Sequence, residues 1–417
     1  MRRLTFQLAF VAGLTLAMSA QVNAQIFTNA SGDGLWSTAA NWDTGVVPVA
    51  TDNVVIGEEN NTGVTGAFDV GAATINDLRV GNGAGSLGAT GTFNQGAGTL
   101  TANGWAFVGS DANTANASAT AGVWNLSGTA SFVTPQRLYA GIGGGAGATG
   151  TGTINVSDSA SIMADITVIG ENDGNSGIVN QSGGSVASSS WLTIGAATAA
   201  QGEYNLSGGT LSTAALTVGQ ADAGSNGDFN LSGTGAATVD GLWVGRGEFG
   251  GGGATGSLDI DGSNASFLVN NDVHFGGFNF AAADAVGDLS FTADAGGVST
   301  LDIAGSLFLN DGTVVGASNL FVDLTADANF STFGSTGTAF EYLLIDNFNN
   351  GVTGTFAGLA EGASISIGGG QTGTISYVGG DGNDVVINLF TTAIPEPSSV
   401  LIASLGLLGL VARRRRS

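Results

Sequence analysis

Histidine and cysteine, which supply many catalytic and metal-binding sites, are almost absent from this sequence. His274 is the only histidine, and there is no cysteine. A multi-histidine zinc site, a disulfide and a thiolate nucleophile are therefore excluded, and a Ser-His-Asp triad is disfavoured. We interpret His274, which lies beside Phe275, as a structural residue.

Carboxylates are the remaining candidates for catalysis, because the chain has 33 acidic residues. Paired carboxylates cleave glycosidic bonds, and the right-handed β-helix is a common scaffold of glycosidases and pectate lyases. Uniform repeats, however, leave little site-specific variation, and Arg79, Arg137 and Arg246 are the only body cations that could steady an oxyanion or a uronate. We predict that the protein is not an enzyme and keep a polysaccharide-processing enzyme as the alternative.

One acidic segment has the spacing of a metal site. Residues 380–384, Gly-Asp-Gly-Asn-Asp, are close to the calcium-binding nonapeptide of RTX proteins. In those proteins calcium lies between adjacent turns of a repeat, whereas this sequence has one copy. We interpret Asp381 and Asp384 as part of a tight hairpin turn, with calcium binding as the alternative. No cofactor is expected.

Asparagine recurs in a pattern that has two interpretations. Asn-x-Ser triplets, which match the acceptor sequence for N-glycosylation, begin at Asn125, Asn155, Asn180, Asn205 and Asn230. These residues also recur in register with a repeat, so their side-chain amides could stack as a ladder. We favour the ladder.

The repeat has a period near 25 residues, and its clearest copies begin at Tyr204 and Phe229. The copies place these residues at the asparagine position: Asp69, Asn94, Asn125, Asn155, Asn180, Asn205, Asn230 and Asp259. From each asparagine to the glycine that closes its unit the distance is 14 to 16 residues, whereas the connection to the next unit varies from 10 to 16. Insertions therefore map to one edge of the stack, where a binding surface would be elaborated.

A sustained period of this length predicts an all-β fold, a parallel β-solenoid (β-helix) of about eight rungs over residues 65–319. Within a rung, Tyr204 and Leu206 would point inward and Asn205 outward. One rung cannot bury its apolar face alone, so it needs stacked neighbours. Residues 25–64 would cap the first rung. Residues 320–390 would form a small C-terminal β domain, with strands at 340–345, 373–378 and 384–389.

The ends and the body of the chain differ in charge. All nine basic residues are arginines, and six of them lie at the extreme ends. Residues 25–394 keep three arginines and 32 acids, a formal net charge of −29. Such a surface repels phosphate backbones, so nucleic acid is not expected as a partner.

The N-terminus has the features of a secretion signal. Two arginines precede an uncharged stretch over residues 4–20, and residues 22–24, Val-Asn-Ala, give the small-x-small pattern that signal peptidase recognises. We predict a signal peptide over residues 1–24, with cleavage between Ala24 and Gln25.

The C-terminus has three parts in a fixed order. An uncharged segment, residues 398–412, separates two motifs: Pro395, Glu396 and Pro397 before it, and Arg413, Arg414, Arg415 and Arg416 after it. As a helix, its 15 residues would span about 22 Å, short of the roughly 30 Å hydrocarbon core. We predict a single, marginal C-terminal transmembrane helix, with the arginines on the cytoplasmic side.

This tail, residues 394–417, resembles the PEP-CTERM sorting signal of Gram-negative bacteria. The resemblance implies that an exosortase, a membrane transpeptidase-like protease, recognises and removes the tail during export. Two body segments carry weaker resemblances. Residues 34–56 resemble the opening segment of repeat-rich surface proteins, including autotransporter-like passengers, and residues 354–386 resemble an end domain common in PEP-CTERM proteins.

Together these features predict an exported, non-catalytic protein, structural or adhesive, that passes through the inner membrane to the envelope, surface or extracellular matrix. The expected partners are signal peptidase, exosortase, the inner membrane and exopolysaccharide. The alternative is a β-helix polysaccharide lyase or glycosidase, in which acids and aromatic residues should cluster in a cleft on one flank. In a scaffold they should be spread evenly. Ice binding would need a flat, regular threonine array, and the variable insertions argue against it.

Overall fold

The fold is taken from a computed structural model, which describes residues 24–83, 88–111, 120–143, 149–172, 174–220, 224–247, 253–277, 285–309, 316–330, 340–348 and 351–389. The predicted signal peptide, apart from Ala24, and the predicted sorting tail and transmembrane helix lie outside these residues. Among the residues described, no helix is long and apolar enough to cross a membrane.

The described residues form 29 strands in one sheet and one short 3-10 helix, Ala39–Asn41. The strands are β1 (Ala24–Phe27), β2 (Asn53–Glu58), β3 (Val64–Phe68), β4 (Ala72–Ile75), β5 (Leu78–Gly83), β6 (Thr90–Gln95), β7 (Thr99–Ala102), β8 (Ala106–Asp111), β9 (Thr120–Leu126), β10 (Ser131–Val133), β11 (Arg137–Gly143), β12 (Gly150–Val156), β13 (Ser161–Glu171), β14 (Ser176–Ile194), β15 (Gln201–Val218), β16 (Asn226–Leu231), β17 (Ala236–Val244), β18 (Thr255–Asp261), β19 (Ser266–Val269), β20 (Val273–Phe275), β21 (Ala285–Thr292), β22 (Leu301–Ile303), β23 (Leu307–Leu309), β24 (Gly316–Asp323), β25 (Phe340–Asn347), β26 (Val352–Gly354), β27 (Ser364–Ser366), β28 (Thr372–Gly379) and β29 (Asp384–Leu389).

The predicted parallel β-solenoid is confirmed, with about nine rungs rather than eight. Strands β6, β7 and β8 make one rung, and each pairs in parallel with its equivalent in the next rung, β9, β10 and β11. The short middle strand was not predicted. In this strand Leu100 and Ala102 point into the core, and the threonines that alternate with them point outward. The strand therefore adds a third buried side to the rung.

Register partners from successive rungs fill the core. One inward column runs through Phe93, Trp124, Ile154, Val179, Tyr204, Phe229, Leu258 and Leu289. All of these side chains are at most 3% exposed. The 25-residue spacing therefore brings one inward apolar side chain onto the next, as predicted for Tyr204 and Leu206.

The glycine that closes each unit bends the chain at the end of its strand. Gly170 has a φ of +70°, in the left-handed region that disfavours a side chain. A Cβ atom there would also collide with the carbonyl oxygen of Gln201 in the next rung. Glycine is thus required both for the bend and for the close approach of the two rungs.

Parallel pairing extends past residues 65–319 in both directions. At the N-terminus, β1 pairs with β2 and β2 with β5. The rings of Trp36 and Trp42 meet edge to face over this end, with centroids 4.9 Å apart. At the C-terminus, β25 pairs in parallel with β22 and antiparallel with β29, while β28 pairs antiparallel with both β27 and β29. The three strands predicted in this region are all present.

Candidate functional site

The predicted asparagine ladder occupies one outer face of the solenoid. Five side-chain hydrogen bonds of 2.7 to 3.0 Å link successive amides, each Nδ2 donating to the Oδ1 one rung earlier. They join Asn94, Asn125, Asn155, Asn180, Asn205 and Asn230. The ladder continues to Asp259 in register, as predicted. The assignment of Asp69 was wrong by two residues, because Ala67 is the partner of Asn94 and Asp69 instead accepts the backbone N–H of Ser37.

A second outer face is formed by the outward side chains of the strands that end each rung, and we call it the closing-strand flank. Its central row is Arg79, Phe107, Tyr139, Val168, Thr193, Thr217, Trp243, His274 and Phe308. Unlike the ladder, this row changes residue type at nearly every rung. The middle of the row, from Phe107 to Thr217, is buried, whereas Arg79, Trp243, His274 and Phe308 are half-buried. Recognition requires variation of this kind at accessible side chains, so the flank is the candidate functional site.

All three arginines of the body lie on this flank, each against an aromatic ring. The guanidinium carbon of Arg79 is 4.8 Å from the centroid of Phe107, and that of Arg137 is 5.6 Å from Trp105. Arg246 is 5.3 Å from both Trp191 and Trp243. Cation–π contacts of this kind hold the few positive charges of a strongly acidic body in one region.

The first half of the flank has its own apolar cluster, separate from the main core. It consists of Phe107, Tyr139, Ile142, Val168 and Ala196. The rings of Phe107 and Tyr139 stack with centroids 5.3 Å apart. These side chains lie outside the main core but are at most 6% exposed, and sequence analysis missed them. The available signal was a pair of large residues at alternate outward positions, such as Trp105 and Phe107.

Glu171 is buried beside this cluster. Its side chain is 3% exposed, and its Oε2 atom has no hydrogen-bond partner. Burial raises the pKa of Glu171 to about 7, an effect that the Arg137 guanidinium partly offsets. Arg137 also donates a hydrogen bond of 3.0 Å to the Tyr139 hydroxyl. At neutral pH the Glu171 carboxyl can therefore hold a proton, which a general acid needs, but glycoside hydrolysis also requires a second carboxylate close by.

The second half of the flank carries a stack of rings. Trp191 and Trp243 lie 5.9 Å apart, Trp243 and His274 6.1 Å, and His274 and Phe308 4.6 Å, with nearly parallel planes. His274 is thus held between two aromatic rings, and a structural role for it stays a prediction. Because the rings cover one another's faces, they cannot offer those faces to a ligand.

An open cleft of about 320 Å³ lies where the closing strands of the first four rungs begin. It is lined by Asn53, Asn76, Asp77, Asn103, Gly104, Trp105 and Gln136. The Asn76 amide donates to Asn53 Oδ1 at 2.7 Å, and Asp77 accepts the backbone N–H of Trp105 at 2.9 Å. The cleft is at the opposite end of these strands from the variable connections, where sequence analysis expected a binding surface.

Asp381 and Asp384 lie in the hairpin that joins β28 and β29, as the hairpin interpretation predicts. Asp381 is exposed, whereas Asp384 is buried and accepts the backbone N–H of Asn347 at 2.9 Å. Burial, together with Asp384, Asp302 and Asp381, raises the pKa of nearby Asp346. In the described part of the chain, no group of three or more acidic or histidine side chains is arranged to hold a metal ion.

The predicted cleavage site lies at the start of β1. Ala24 and Gln25 pair with Asn53 and Val54. The Gln25 amide donates to the Asp52 carboxylate, and its oxygen accepts a hydrogen bond from Thr44 at 3.1 Å. Cleavage after Ala24 would therefore leave the side chain of the new N-terminal residue held in place.

Comparison with known proteins bears on the tail alone. The PEP-CTERM protein-sorting motif matches residues 393–416, which include the predicted Pro-Glu-Pro and arginine residues. No curated protein and no solved structure matches the chain. The resemblance to autotransporter-like passengers therefore has no support from a match. The tail motif implies an exported protein that an exosortase sorts at the membrane to the cell envelope.

Proposed function

We propose that the protein is a non-catalytic surface or matrix component, structural or adhesive, that associates with exopolysaccharide. The observation that supports this most is the unbroken stack of similar rungs, tied by the asparagine ladder, on a chain that carries a sorting motif. Nine rungs at roughly 4.8 Å each make a rod on the order of 40 Å long. Such a rod suits a spacer or a repetitive contact surface.

The alternative, a β-helix polysaccharide lyase or glycosidase, has one observation in its favour. Aromatic residues and arginines do gather on one flank, as an enzyme would require. The buried carboxylates are divided between two faces. Burial raises the pKa of Glu171 on this flank, and it raises the pKa of Asp228 and Asp259 on the asparagine-ladder face. This separation supports the non-catalytic proposal, because a glycosidase needs its acid and its base at one glycosidic bond.

Sorting is tested by changing Pro395-Glu396-Pro397 to three alanines in the native host. The prolines prevent the helix from continuing outward and keep the preceding residues extended, which suits binding by a protease. We expect wild-type protein in the envelope or matrix without its four terminal arginines, and variant protein of full length in the inner membrane. Fractionation and mass spectrometry of the C-terminal peptide measure both.

Pro135→Ala, at an exposed proline far from the tail, is the matched control and should be processed like wild type. If mature wild-type protein keeps Arg413 to Arg416, the tail is an ordinary membrane anchor and the sorting proposal fails.

The link with exopolysaccharide is tested in a host strain that cannot make the polymer. There we expect the mature protein to be shed into the medium.

A further inference from the structure

We infer that the cleft over the first four closing strands binds a neutral oligosaccharide. This inference rests on the proposed association with exopolysaccharide and gives it a site and a ligand class. Four features of the cleft support it: the spacing of its amides, their hydrogen bonds, its charge, and its restriction to one part of the solenoid.

Each of the four rungs contributes one carboxamide to the cleft. Asn53, Asn76, Asn103 and Gln136 precede or begin β2, β5, β8 and β11, respectively. Rungs stack at roughly 4.8 Å, so the row extends about 14 Å across the four rungs, with its amides staggered by one or two residues along the chain. A row of this length matches several linked sugar rings better than a single small molecule.

The side chains have the chemistry that hydroxyl groups require. A carboxamide both donates and accepts hydrogen bonds, as a sugar hydroxyl does, and the indole N–H of tryptophan is a further donor. Asn103 and Gln136 are exposed, and Trp105 is half-buried. The hydrogen bonds from Asn76 to Asn53 and from the Trp105 backbone to Asp77 hold these lining residues in place before a ligand binds. Such preorganisation lowers the entropy cost of binding.

Charge favours a neutral glycan over a uronate. The cleft contains the Asp77 carboxylate, and the body carries a net charge of −29. The nearest cations are already engaged: Arg79 lies over Phe107 and near Asp77, and Arg137 bonds the Tyr139 hydroxyl. An anionic polymer would be repelled without gaining an available partner.

The amide row is not a requirement of the fold. In later rungs the same corner carries Asp165, Asp240 and Asp272, whose carboxylates accept hydrogen bonds from the following rung. The rungs of Asp165 and Ser190 have no carboxamide at this corner, so stacking of the solenoid does not require one there. The row of four amides beside a tryptophan is a local feature of the first rungs.

The test is calorimetric titration of the mature protein with cellohexaose, laminarihexaose and xylohexaose, and with hexagalacturonate as the acidic probe. We expect at least one neutral hexasaccharide to bind, and Asn103→Ala with Gln136→Ala to weaken it at least tenfold without lowering the melting temperature. Asn271→Ala, an exposed asparagine at the same corner of a later rung, should bind like wild type.

Failure of every neutral probe to bind wild type, binding of hexagalacturonate alone, or unchanged binding by the double variant would overturn the site. These outcomes are separable from failure of the proposed function. If calorimetry overturns the site but wild-type protein stays in a polymer-containing matrix and is shed without the polymer, the site is wrong and the function stands. If purified protein binds the oligosaccharide but wild type is released from the matrix, the function is wrong and the site stands.

Discussion

The asparagine-ladder face and the closing-strand flank are both outer faces of the same solenoid, yet they are built differently. On the ladder face one residue type repeats, and each amide bonds an identical amide one rung away. On the flank, neighbouring rungs place arginine against phenylalanine, tyrosine against valine, and tryptophan against histidine. The backbone register is equally regular in both places.

This difference shows that the fold depends on the repeated asparagines of the ladder but accepts different residues on the flank. Each interior ladder amide bonds the amides of both neighbouring rungs, so changing one asparagine removes a hydrogen bond from each neighbour. A flank side chain packs on unlike neighbours that can differ from rung to rung. Sequence variation is therefore concentrated on the flank, which is where recognition can develop without loss of the stack.

Register is the property that both faces share, and a deletion can break it. Removing 25 residues, 180–204, joins Val179 to Asn205, the register partner of Asn180. We expect a folded protein that melts cooperatively. Removing 24 residues, 180–203, puts the inward Tyr204 in the outward position. Each misplaced large apolar side chain costs about 1.5–3 kcal/mol, so we expect a much lower melting temperature.

The two deletions differ by one residue and serve as controls for each other. Thermal melts followed by circular dichroism compare them directly. Equal stability of the two would contradict a solenoid held by register.

Glu171 offers a test confined to the flank. Its folded pKa of about 7 lies above the ordinary value of 4.5, so the folded state binds the proton more tightly than the unfolded state. The resulting stability is fully present below pH 4.5 and is lost as the pH rises to 7. The loss amounts to about 3 kcal/mol. Glu171→Gln should remove this pH dependence and be the more stable protein at pH 8.

Urea unfolding at pH 4.5 and pH 8 measures this effect. Asp158→Asn, at an exposed residue, is the control and should keep the wild-type pH dependence. A Glu171→Gln variant that loses stability between these pH values as steeply as wild type would mean that Glu171 is ionised in the folded protein.

The smallest effect is expected at the C-terminal hairpin. Changing Asp381 and Asp384 to asparagine keeps an acceptor for the Asn347 N–H and removes negative charge beside Asp346. We expect little change in melting temperature, with or without millimolar calcium. A calcium site with a Kd one hundredfold below the calcium concentration would stabilise wild type by about 2.7 kcal/mol. Calcium stabilisation that the variant lacks would show that the hairpin binds the ion.

The ladder and the inward core could be predicted from sequence because their signals are local and repeated. Asn205 sits between Tyr204 and Leu206, and the same alternation returns 25 residues later around Asn230. The bends were also predictable, since only glycine tolerates the conformation of Gly170. The middle strand β7 was missed because a four-residue alternation is too short to stand out.

The flank could not be predicted, because its contacts cross rungs of unequal length. Trp105 and Arg137 are 32 residues apart in sequence and meet only through the register of β8 and β11. The burial of Glu171 likewise depends on side chains from preceding rungs. Asp69 was misplaced by two residues for a related reason: a shift of two keeps the side chain on the same face, so alternation alone cannot detect it.

The most direct test of the division between the two faces removes the same chemical group from each. Asn180→Ala deletes the amide that bonds both Asn155 and Asn205, whereas Gln136→Ala deletes an exposed amide at the corner where the flank strand β11 begins. Urea unfolding should show a loss of about 2 kcal/mol for Asn180→Ala, from two hydrogen bonds. Gln136→Ala should change stability by less than about 0.5 kcal/mol. Equal losses would contradict the view that the ladder stabilises the fold while the flank is free to vary.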